Sequence, residues 1–337
     1  MKTKRQAEPT TNWAGIDLAK ETFQMALWGH QDLPAMTVRS FPRKRKSMKA
    51  ALDWLRSQAP TGVPLAVVME ATGTFAEEVG AWLLELDPAL WVAIVNPFQT
   101  SSFVKSLGFR NKTDDLDAKA LARYGKERNP VAWEPPTPEM AVLKDLVRIR
   151  GNLINERTAM TLRLKDHKRS SPTAAKALGK ILQALKAQIK VLEVEIKAHL
   201  KAHEALGHQV KVCQTIIGVG IVTATTVLVE LGDLRRYRRS RKLTAMAGVS
   251  PRKTQSGTSV HGKTRMCKQG SPRVRAELYM AASNAVRYNP DMKATYEGLL
   301  KRGKEKRAAL GAVMRKLLVL MRAILIADRA WQSRTAA

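Results

Sequence analysis

The first 126 residues switch repeatedly between strand-like and helix-like patterns, and few folds accommodate the order in which they do so. Three runs rich in β-branched and aromatic residues come first, at 13–18, 22–28 and 36–41, and they predict three antiparallel strands. Apolar residues at helical spacing then alternate with short apolar runs. These patterns predict helices at 44–57, 75–86, 99–107 and 114–126, and strands at 64–70 and 90–96. The chain therefore begins in the order βββαβαβα.

This order is typical of a ribonuclease H-like layout, in which a mixed sheet is flanked by helices. We predict such an α/β catalytic domain over residues 13–128, preceded by a polar, disordered tail at 1–12. In that layout the first and fourth strands lie side by side. Residues at the ends of those two strands are therefore expected to meet.

A proline-rich stretch at 129–139 marks the end of this domain, because prolines disfavour both helix and central strand. Beyond it, residues 140–168 and 174–203 carry apolar residues at spacings of three and four, with charged residues between them. They predict two long helices that form an antiparallel hairpin or coiled coil within 140–208. The alternative is that part of the apolar seam instead contacts another copy of the chain, since one narrow seam seldom supports a free-standing pair.

Positive charge is concentrated in the second half of the chain. The sequence has 58 Lys and Arg against 29 Asp and Glu, a net charge of +29, of which +26 falls in residues 126–337. Such an excess destabilises a compact state unless a polyanion neutralises it, so nucleic acid is the expected partner. A merely basic soluble protein is the alternative, and a membrane-surface protein is disfavoured because no amphipathic anchor accompanies the charge.

The rest of the composition suits a soluble cytoplasmic protein without a membrane partner. No apolar run approaches the length that spans a bilayer, and the first residues lead into no signal-peptide core. Two cysteines are too few for a disulfide framework and suit a reducing compartment. Residues 209–332 are predicted to form a mainly α-helical domain with glycine-rich basic loops, followed by a tail at 333–337.

Four acidic residues are expected to converge in the first domain. Asp17 ends the first predicted strand and Glu70 ends the fourth, while Asp114 and Asp117 share one face of a helix. Clustered carboxylates raise one another's pKa and are costly unless cations neutralise them. Hard oxygen ligands favour Mg²⁺, or Mn²⁺, and two such ions would clamp a phosphodiester for in-line attack. Taken singly, each carboxylate also fits a structural role, such as capping a helix or pairing with a cation.

A Gly-x-Gly turn between two apolar helices, formed by Gly218 and Gly220, resembles a helix-hairpin-helix motif. Such a turn lets backbone N–H groups approach a phosphate, although a plain tight turn is an equal alternative. A basic run downstream favours phosphate contact. The residues expected to bind nucleic acid in this run are Arg235, Arg236, Arg238 and Arg239, and Arg110 and Lys112 are expected to do so in the first domain.

The glycine-punctuated segment at 248–275 combines hydroxyl groups with many cations. A serine placed there would attack phosphorus while arginines stabilise the transition state, although hydrogen bonding to phosphate is the simpler role. The residues alone do not choose between Ser250, Ser256, Ser259 and Ser271. The basic residues expected to surround the phosphate are Arg252, Lys253, Lys263, Arg265, Lys268, Arg273 and Arg275.

Two apolar features of the last domain are predicted to belong to its core. The run at 317–326 reads as a packed helix that closes the domain. Tyr279, Tyr288 and Tyr296 are able to stack on nucleic-acid bases, but we predict that they pack in the core.

Seven short motifs, in order along the chain, resemble the DEDD insertion-sequence transposases, the bridge-RNA-guided recombinases of bacterial mobile elements. The resemblance extends from about Trp13 to Trp331, nearly the whole chain. The motifs are Gly15-Ile-Asp-Leu-Ala-Lys, Met69-Glu-Ala-Thr-Gly-Thr-Phe, Val95-Asn-Pro, Asn111-Lys-Thr-Asp-Asp-Leu-Asp-Ala, Ile217-Gly-Val-Gly, Ala247-Gly-Val-Ser-Pro-Arg and Gln255-Ser-Gly.

The resemblance implies a catalytic apparatus in two parts. The first is a resolvase-like N-terminal domain whose DEDD carboxylates fall on Asp17, Glu70, Asp114 and Asp117. The second is a C-terminal transposase domain with a serine nucleophile in a Ser-Gly motif, which falls on Ser256. In the family this serine is thought to form a covalent phosphoserine with cleaved DNA, beside Mg²⁺ held by the carboxylates.

The resemblance also implies the partners. A structured noncoding bridge RNA pairs with both target and donor DNA, so sequence choice is delegated to the RNA. The two parts of the site come from different protomers, which implies a homo-oligomer, from dimer to tetramer, assembled through the helical segment. The expected location is the bacterial cytoplasm, with nucleoid association when the protein is bound to DNA.

Two other functions fit parts of the sequence. A resolvase-like endonuclease would hydrolyse DNA through the carboxylates alone, and Ser256 would then be a phosphate contact. A non-catalytic nucleic-acid-packaging protein would need only the +26 charge of the second half.

Overall fold

The computed structural model describes residues 11–29, 36–108, 113–167, 171–256 and 260–333, and for 253–256 and 260–263 it describes the backbone alone. Two compact units make up the chain, residues 1–135 and residues 136–337. Most of the tails predicted at 1–12 and 333–337 lies outside the described residues. Thr11 is buried and the first strand begins at Asn12, so ordered structure starts inside the predicted N-terminal tail.

A five-stranded mixed sheet forms the centre of the first unit. Its strands are β1 (Asn12–Leu18), β2 (Thr22–Leu27), β3 (Val38–Pro42), β4 (Leu65–Glu70) and β5 (Trp91–Val95). They lie in the order β3-β2-β1-β4-β5. β1, β2 and β3 pair antiparallel, whereas β4 and β5 run parallel to β1.

Four helices flank this sheet: α1 (Ser47–Gln58), α2 (Phe75–Leu86), α3 (Pro97–Ser106) and α4 (Asp114–Arg128). The predicted order of strands and helices is confirmed, and the mixed α/β sheet agrees with the predicted ribonuclease H-like layout. The central strands are apolar on both sides because helices cover both faces. β1 and β4 are accordingly buried along most of their length.

Side chains alternate between the two faces of the sheet and so define two cores. On one face, Ile16 and Met69 pack with residues of α1 and α2. On the other face, Trp13 and Val68 pack with Leu121 of α4 and with residues of α3. Asp17 and Glu70 lie on the same face of the sheet as α4. Asp17 is four residues after Trp13 and Glu70 is two residues after Val68, and alternate residues of a strand share a face.

The direction of α4 across this face is set by two glycines. A Cβ on Gly15 of β1 would overlap backbone atoms of Ala118 and Ala122, and a Cβ on Gly125 would overlap the ring of Trp13. Helix and strand therefore touch without intervening side chains. Because residue 125 meets residue 13 and residues 118–122 meet residue 15, α4 runs antiparallel to β1. The N-terminus of α4 consequently lies at the C-terminal end of β1.

The second unit is mainly α-helical. Its two longest helices, α5 (Pro138–His167) and α6 (Pro172–Ala202), begin and end within two residues of the predicted hairpin helices. The remaining helices are α7 (Glu204–Gln214), α8 (Ile221–Leu231), a 3-10 turn (Leu234–Arg236), α9 (Ser240–Met246), α10 (Pro272–Tyr288), α11 (Pro290–Lys301) and α12 (Lys306–Ala327).

The helical hairpin and the C-terminal helices share one hydrophobic core. Leu143 and Val147 of α5 and Ile196 and Leu200 of α6 are buried together with residues of α7, α8, α10 and α12. The end of the hairpin near the linker is therefore anchored in the body of the unit. In the described residues no helix is both long enough and apolar enough to cross a membrane.

The glycine-punctuated basic segment differs from the predicted loop. It contains a β-hairpin, β6 (Pro251–Ser256) and β7 (Val260–Met266), with antiparallel pairing between Arg252 and Arg265 and between Ser256 and Val260. No apolar alternation marks these strands in the sequence, so the usual strand signal is missing. Backbone contacts at the base define the hairpin instead: the Cys267 N–H donates to the Ser250 carbonyl oxygen at 2.8 Å.

Candidate active site and nucleic-acid interface

Asp17 and Glu70 lie side by side at one edge of the first sheet. The last register pair between β1 and β4 joins Ile16 to Met69, and Asp17 and Glu70 are the next residues on the two parallel strands. Both side chains are half-buried and point to the face covered by α4, since neighbouring residues on a strand alternate faces. The structure thus brings these two predicted site residues together.

Asp114 and Asp117 come to the same edge by way of α4. The antiparallel course of α4 along β1 places its first turn at the end of the strand that carries Asp17. Thr113 caps the helix, and its hydroxyl accepts from the Leu116 N–H at 3.3 Å. Asp117 is half-buried and Asp114 is exposed. Asp114 and Asp117 precede by four residues Ala118 and Leu121, which pack against the sheet, so both lie on the helix face that meets the sheet.

Glu70 is held by a residue that the sequence did not single out. The hydroxyl of Thr100, in α3, donates to Oε2 of Glu70 at 2.8 Å and also lies 2.9 Å from the carbonyl oxygen of Pro97. Thr100 is buried, so its hydroxyl has little access to competing water. The contact fixes one carboxylate oxygen of Glu70, and Thr100 makes no bond to the other oxygen.

Arg43 connects the segments that follow the two strands. Its guanidinium donates to the carbonyl oxygen of Ala19 at 3.2 Å and to that of Lys20 at 2.7 Å, both in the turn after Asp17. It also forms an ion pair with Glu78 at 2.9 Å and lies 3.8 Å from the ring centroid of Phe75, both in the first turn of α2. The β1–β2 turn and the start of α2 are thereby joined by one side chain.

The donor set at this edge is chemically suited to a hard divalent cation. Carboxylate oxygens are the ligands that Mg²⁺ and Mn²⁺ prefer. Within the described ranges, however, no three Asp, Glu, His or Cys side chains lie close enough to hold a metal ion. The backbone therefore brings the four carboxylates to a common edge, and their side chains would have to turn toward one another to enclose an ion.

The four candidate serines of the second unit have different environments. The Ser250 hydroxyl lies 2.9 Å from that of Thr244. Ser271 accepts from the Val274 N–H at 3.3 Å as the cap of α10, and its hydroxyl lies 3.3 Å from Oε2 of Glu230. Both hydroxyls thus serve the fold. Ser256 ends β6 at the tip of the hairpin, its side chain lies outside the described residues, and so does Ser259.

The first glycine of the Gly-x-Gly turn packs against α10. A Cβ on Gly218 would lie 2.7 Å from the Cβ of Ala285 in α10, and Gly218 has φ +102°. Glycine is required there by close packing and by backbone conformation. Thr223, which follows the turn, is buried. Gly220 alone has open space around it, so only this part of the predicted motif is available to a phosphate.

The basic residues divide into exposed and internally bonded groups. Arg238, Arg239 and Arg241 line an open depression of about 410 Å³. Arg322 donates to the carbonyl oxygen of Tyr237 at 2.8 Å and so supports the segment that carries them. The predicted nucleic-acid-binding residues that are exposed outside this depression are Arg236, Arg252, Arg265, Lys268 and Arg273.

The other basic residues predicted to contact nucleic acid either bond within the protein or lie outside the described residues. Arg235 pairs with Asp233 at 2.9 Å, and Arg275 donates to the Gly270 carbonyl oxygen at 2.6 Å. Arg275 therefore holds the junction between the hairpin and α10. Arg110 and Lys112 fall outside the described residues, as do the side chains of Lys253 and Lys263.

The prediction that three tyrosines pack in the core is wrong for two of them. Tyr279 is 48% exposed and Tyr288 is 69% exposed, whereas Tyr296 packs against the core. The buried face of α10 is formed by Val274, Leu278, Ala281, Ala282 and Ala285. Tyr279 lies off this face, whereas Tyr288 shares the phase of Val274 and Ala281 but is the last residue of the helix.

Two family profiles match complementary parts of the chain. One, the DEDD transposase profile of the IS110 type, is described as "Transposase" and matches residues 14–169. The other is described as "Transposase IS116/IS110/IS902 family" and matches residues 210–297. The chain belongs to the DEDD insertion-sequence transposases. The first match contains all four carboxylates, and the second contains the Gly-x-Gly turn, Ser256 and α10.

Relatives of this DEDD transposase family member align over most of its length. A "Pilin gene-inverting protein" of Moraxella bovis is 29% identical over 96% of this chain and 98% of its own length. The "Transposase for insertion sequence element IS1111A" of Coxiella burnetii is 26% identical over 76% of this chain and 73% of its own. A solved structure titled "Thermus thermophilus RuvC structure" aligns with 36% of this chain and 99% of its own, at 16% identity and a TM-score of 0.25.

Several residues of this DEDD transposase were missed by sequence reasoning. Thr100 and Arg43 make contacts 23 to 35 positions away in the chain, which no local pattern reveals. Arg241 belongs to the same basic run as Arg239, so its charge was a usable signal. The exposure of Tyr279 was also predictable, because helical phase separates it from the apolar face of α10, whereas Tyr288 shares the phase of that face and is exposed at the last position of the helix.

Proposed function

We propose that this protein is an RNA-guided DNA recombinase that cuts and rejoins strands between a mobile element and its target. The observation that carries the proposal is the register of β1 and β4, which sets Asp17 beside Glu70 at the edge reached by the first turn of α4. In this proposal Asp17, Glu70, Asp114 and Asp117 hold Mg²⁺ or Mn²⁺. Ser256 is the nucleophile.

The protein's own residues have separable roles in the chemistry. Metal ions held by the carboxylates would polarise the phosphodiester and stabilise charge on the attacking and leaving oxygens. Thr100 fixes one oxygen of Glu70, so the other would be available to bind the cation. Arg43 holds the turn after Asp17 against the start of α2, so the two strand ends keep their spacing.

In the proposed strand transfer each step forms one phosphorus–oxygen bond and breaks another, so no external energy source is needed. Oγ of Ser256 attacks phosphorus, a P–Oγ bond forms, and the bond from phosphorus to one sugar oxygen breaks. The serine proton passes to solvent, and the released sugar oxygen takes up a proton. Attack by the sugar hydroxyl of a second strand reverses these bond changes. That attack frees Ser256 and joins two DNA segments.

The exposed cations of the second unit support binding to nucleic-acid backbones. Arg238, Arg239 and Arg241 surround an open depression, which suits a phosphate more than an apolar ligand. We place target DNA, donor DNA and a structured bridge RNA among the partners, with an oligomer from dimer to tetramer that supplies both parts of the site. The proposed location is the bacterial cytoplasm, in association with the nucleoid when DNA is bound.

A metal-dependent endonuclease is the second candidate function. It is favoured by the location of all four carboxylates in a single unit, because hydrolysis would then need nothing from Ser256. The name of the Moraxella bovis relative argues for rejoining, since inversion of a gene requires that cut ends be sealed. Similarity over 96% of this chain supports the same type of reaction here.

Covalent capture of DNA tests the proposal and separates it from hydrolysis. The full-length protein is incubated with labelled DNA, the bound RNA and Mg²⁺, and protein–DNA adducts are resolved under denaturing conditions. We expect Ser256→Ala to abolish the adduct, and Asp17→Asn and Glu70→Gln to abolish cleavage. Ser102→Ala is the matched control, because the Ser102 hydroxyl bonds only within its own helix.

The outcomes of this experiment test Ser256 and the carboxylate site separately. Adducts of normal yield in Ser256→Ala would remove that serine from the nucleophile role. Cleavage that persists in Ser256→Ala with free ends would support the endonuclease. Cleavage unaffected by Asp17→Asn would overturn the carboxylate site itself.

The guide RNA requires its own test. The protein is purified from its host, the bound RNA is sequenced, and its loops are compared with the DNA that flanks the gene. We expect one structured RNA whose loops match both element ends and target. Recovery of only random cellular RNA would contradict guidance by RNA and leave the carboxylate chemistry intact.

A further inference from the structure

A groove between α3 and α4 in the first unit is lined by aromatic and polar side chains. It has a volume of about 370 Å³ and runs along one side of α3, against the last turns of α4. Its walls combine the rings of Phe98, Phe103 and Tyr124 with the amide of Gln99 and the guanidinium of Arg128. Aromatic rings together with a few polar groups are typical of a site for a small planar ligand.

The inner walls of this groove are held in place by contacts within the unit. Phe103 and Tyr124 are buried, and their ring centroids lie 5.3 Å apart at an interplanar angle of 87°. The Tyr124 hydroxyl donates to Oε1 of Gln99 at 3.2 Å. Burial raises the pKa of Tyr124, an effect that nearby Arg128 opposes, so the phenol stays protonated at neutral pH. A ligand would therefore meet ordered side chains and lose little affinity to fixing them.

Phe98 supplies the exposed ring of the groove. It is 50% accessible, and it is the only exposed large apolar residue of α3 and α4, both of which are described throughout. One ring offers too little area for a stable contact with a second copy, since specific interfaces bury about 1,000 Å² or more. One ring is enough to stack on a single nucleobase.

The polar groups of the groove match a nucleotide. The Gln99 amide keeps N–H donors and one oxygen lone pair beside its contact with Tyr124. It can therefore pair with any base edge that sets a donor beside an acceptor. Arg128 lies 5.7 Å from the ring centroid of Phe103, and among the described residues that line the groove it is the only charged one. A phosphate attached to the base would meet this cation.

The two serines of the groove are already bonded to their own helix. The Ser102 hydroxyl donates to the carbonyl oxygen of Phe98 at 2.8 Å, and the Ser106 hydroxyl donates to that of Phe103 at 2.6 Å. Recognition of a base therefore falls to Phe98 and Gln99, and Ser102→Ala remains a control variant.

The groove shares the first turn of α3 with the carboxylate edge. Thr100 donates to Glu70, and the residue before it, Gln99, lines the groove. The Cα atoms of such neighbours are about 3.8 Å apart. In the proposed function Glu70 helps to hold the metal ion at the phosphodiester that is cut. A nucleotide close to that phosphodiester is therefore within reach of the groove.

We propose that the groove between α3 and α4 takes up one unstacked base of the DNA strand that is being cut. This inference rests on the proposed function, because that function puts the scissile phosphodiester beside Glu70. A base that has left the duplex exposes its faces and its pairing edge, so Phe98 would stack on it and Gln99 would pair with it. The strand is thereby held without being read, and sequence choice stays with the RNA.

Duplexes with one bulged nucleotide test this proposal on the full-length protein. Fluorescence anisotropy is measured with Ca²⁺ in place of Mg²⁺, which limits cutting. The probes are a duplex of about 20 base pairs, the same duplex with one bulged deoxynucleotide, and the same duplex with a bulged abasic site. We expect wild type to bind the bulged base about tenfold more tightly than the other two, the gain from stacking one base.

Phe98→Ala should abolish this preference for the bulged base. Its affinity for the fully paired duplex should stay within about twofold of wild type, since phosphate contacts dominate there. Phe98→Tyr keeps an aromatic ring and should keep the preference. Gln99→Glu still accepts from Tyr124 but loses the amide donors, so it should weaken the preference. Leu86→Ala is the matched control, because it removes another exposed apolar side chain of the first unit, 47% accessible, and should change nothing.

Photo-crosslinking locates the bound base. The bulged position carries 5-iodouracil, the complex is irradiated, and the modified peptide is identified by mass spectrometry. We expect the label on Phe98 or Tyr124. Label confined to the second unit would overturn the proposal.

The binding assay has further outcomes that would overturn the proposal. Equal affinity of wild type for the bulged base and the bulged abasic site would show that the groove holds no base. A preference that survives in Phe98→Ala would place the base elsewhere. A loss confined to an RNA duplex with the same bulge would assign the groove to the guide. A changed oligomeric state of Phe98→Ala with unchanged DNA binding would assign it to contact between copies.

Failure of this inference is distinguishable from failure of the proposed chemistry. Asp17→Asn should keep the preference for the bulged base whether or not Asp17 takes part in cleavage. If Ser256 forms no covalent adduct but Phe98→Ala loses the preference, the groove stands and the serine chemistry falls. If the adduct forms and wild type shows no preference, the groove falls and the chemistry stands.

Discussion

The hydroxyl of Thr100 donates to Oε2 of Glu70 across 2.8 Å, although the two residues are 30 positions apart in the chain. β4 ends at Glu70, while Thr100 lies in the first turn of α3, the helix after the neighbouring strand. The fold therefore supplies Glu70 with a buried partner from a separate element. A carboxylate oxygen fixed in this way has fewer orientations to lose when it binds a cation.

Replacing Thr100 by valine should impair catalysis more than stability. Thr100→Val keeps the shape of the side chain and removes its hydroxyl, so Glu70 loses one fixed oxygen. We expect the rate of DNA cleavage at limiting Mg²⁺ to fall about tenfold, the loss typical of a hydrogen bond to a charged group. The Mg²⁺ concentration for half-maximal activity should rise, and Thr100→Ser, which retains the hydroxyl, should stay close to wild type. An unchanged Mg²⁺ dependence in Thr100→Val would show that this bond does not position Glu70.

Arg43→Gln should separate the turn after Asp17 from the start of α2. The guanidinium donates to two carbonyl oxygens of the turn and pairs with Glu78, and glutamine cannot make these contacts together. Cleavage should slow by about tenfold and need more Mg²⁺. Arg45→Gln is the control, because Arg45 pairs with Glu85 on the exposed surface, where ion pairs contribute little to stability. Parallel losses of activity in both variants would contradict a positioning role for Arg43.

The placement of Asp17 and Glu70 was accessible from the sequence because strand periodicity is a local signal and the order βββαβαβα matches a layout in which the first and fourth strands are neighbours. Apolar runs that end in a single carboxylate predicted which residues would lie at the sheet edge. Thr100 and Arg43 were not accessible, since their contacts depend on how distant segments pack. The β6–β7 hairpin was missed because its residues are polar on both faces. Its pairing is fixed by the backbone near Gly248 and Gly270, which leaves no hydrophobic pattern to read.

Gly15→Ala should destabilise the first unit by about 3 kcal/mol, at the upper end for overpacking a tight contact. The added methyl would overlap backbone atoms of Ala118 and Ala122, and a backbone cannot move aside as a side chain does. Urea unfolding followed by circular dichroism measures the loss. Gly179→Ala, in an open position of α6, should instead be neutral or stabilise by up to about 1 kcal/mol. Equal stability of Gly15→Ala and wild type would refute the close packing of α4 on β1.

The two cysteines should differ in reactivity and in their effect on alkaline stability. Cys213 is fully buried, and burial raises the pKa of its thiol from 9.0 to about 12. The unfolded chain ionises this thiol near pH 9 while the folded protein keeps it protonated. Its contribution to stability is therefore complete below about pH 9 and is lost as the pH rises toward 12.

This difference is measurable with a thiol reagent and by thermal unfolding. In the native protein at pH 8 the reagent should modify Cys267, which is partly exposed, and spare Cys213 until denaturant is added. Between pH 8.5 and 10.5 the melting temperature of Cys213→Ala should fall less steeply than that of wild type, because the variant has no buried thiol to keep protonated. Cys267→Ala should retain the wild-type slope. Rapid modification of both thiols in the native protein would contradict the burial of Cys213 beneath α8 and α12.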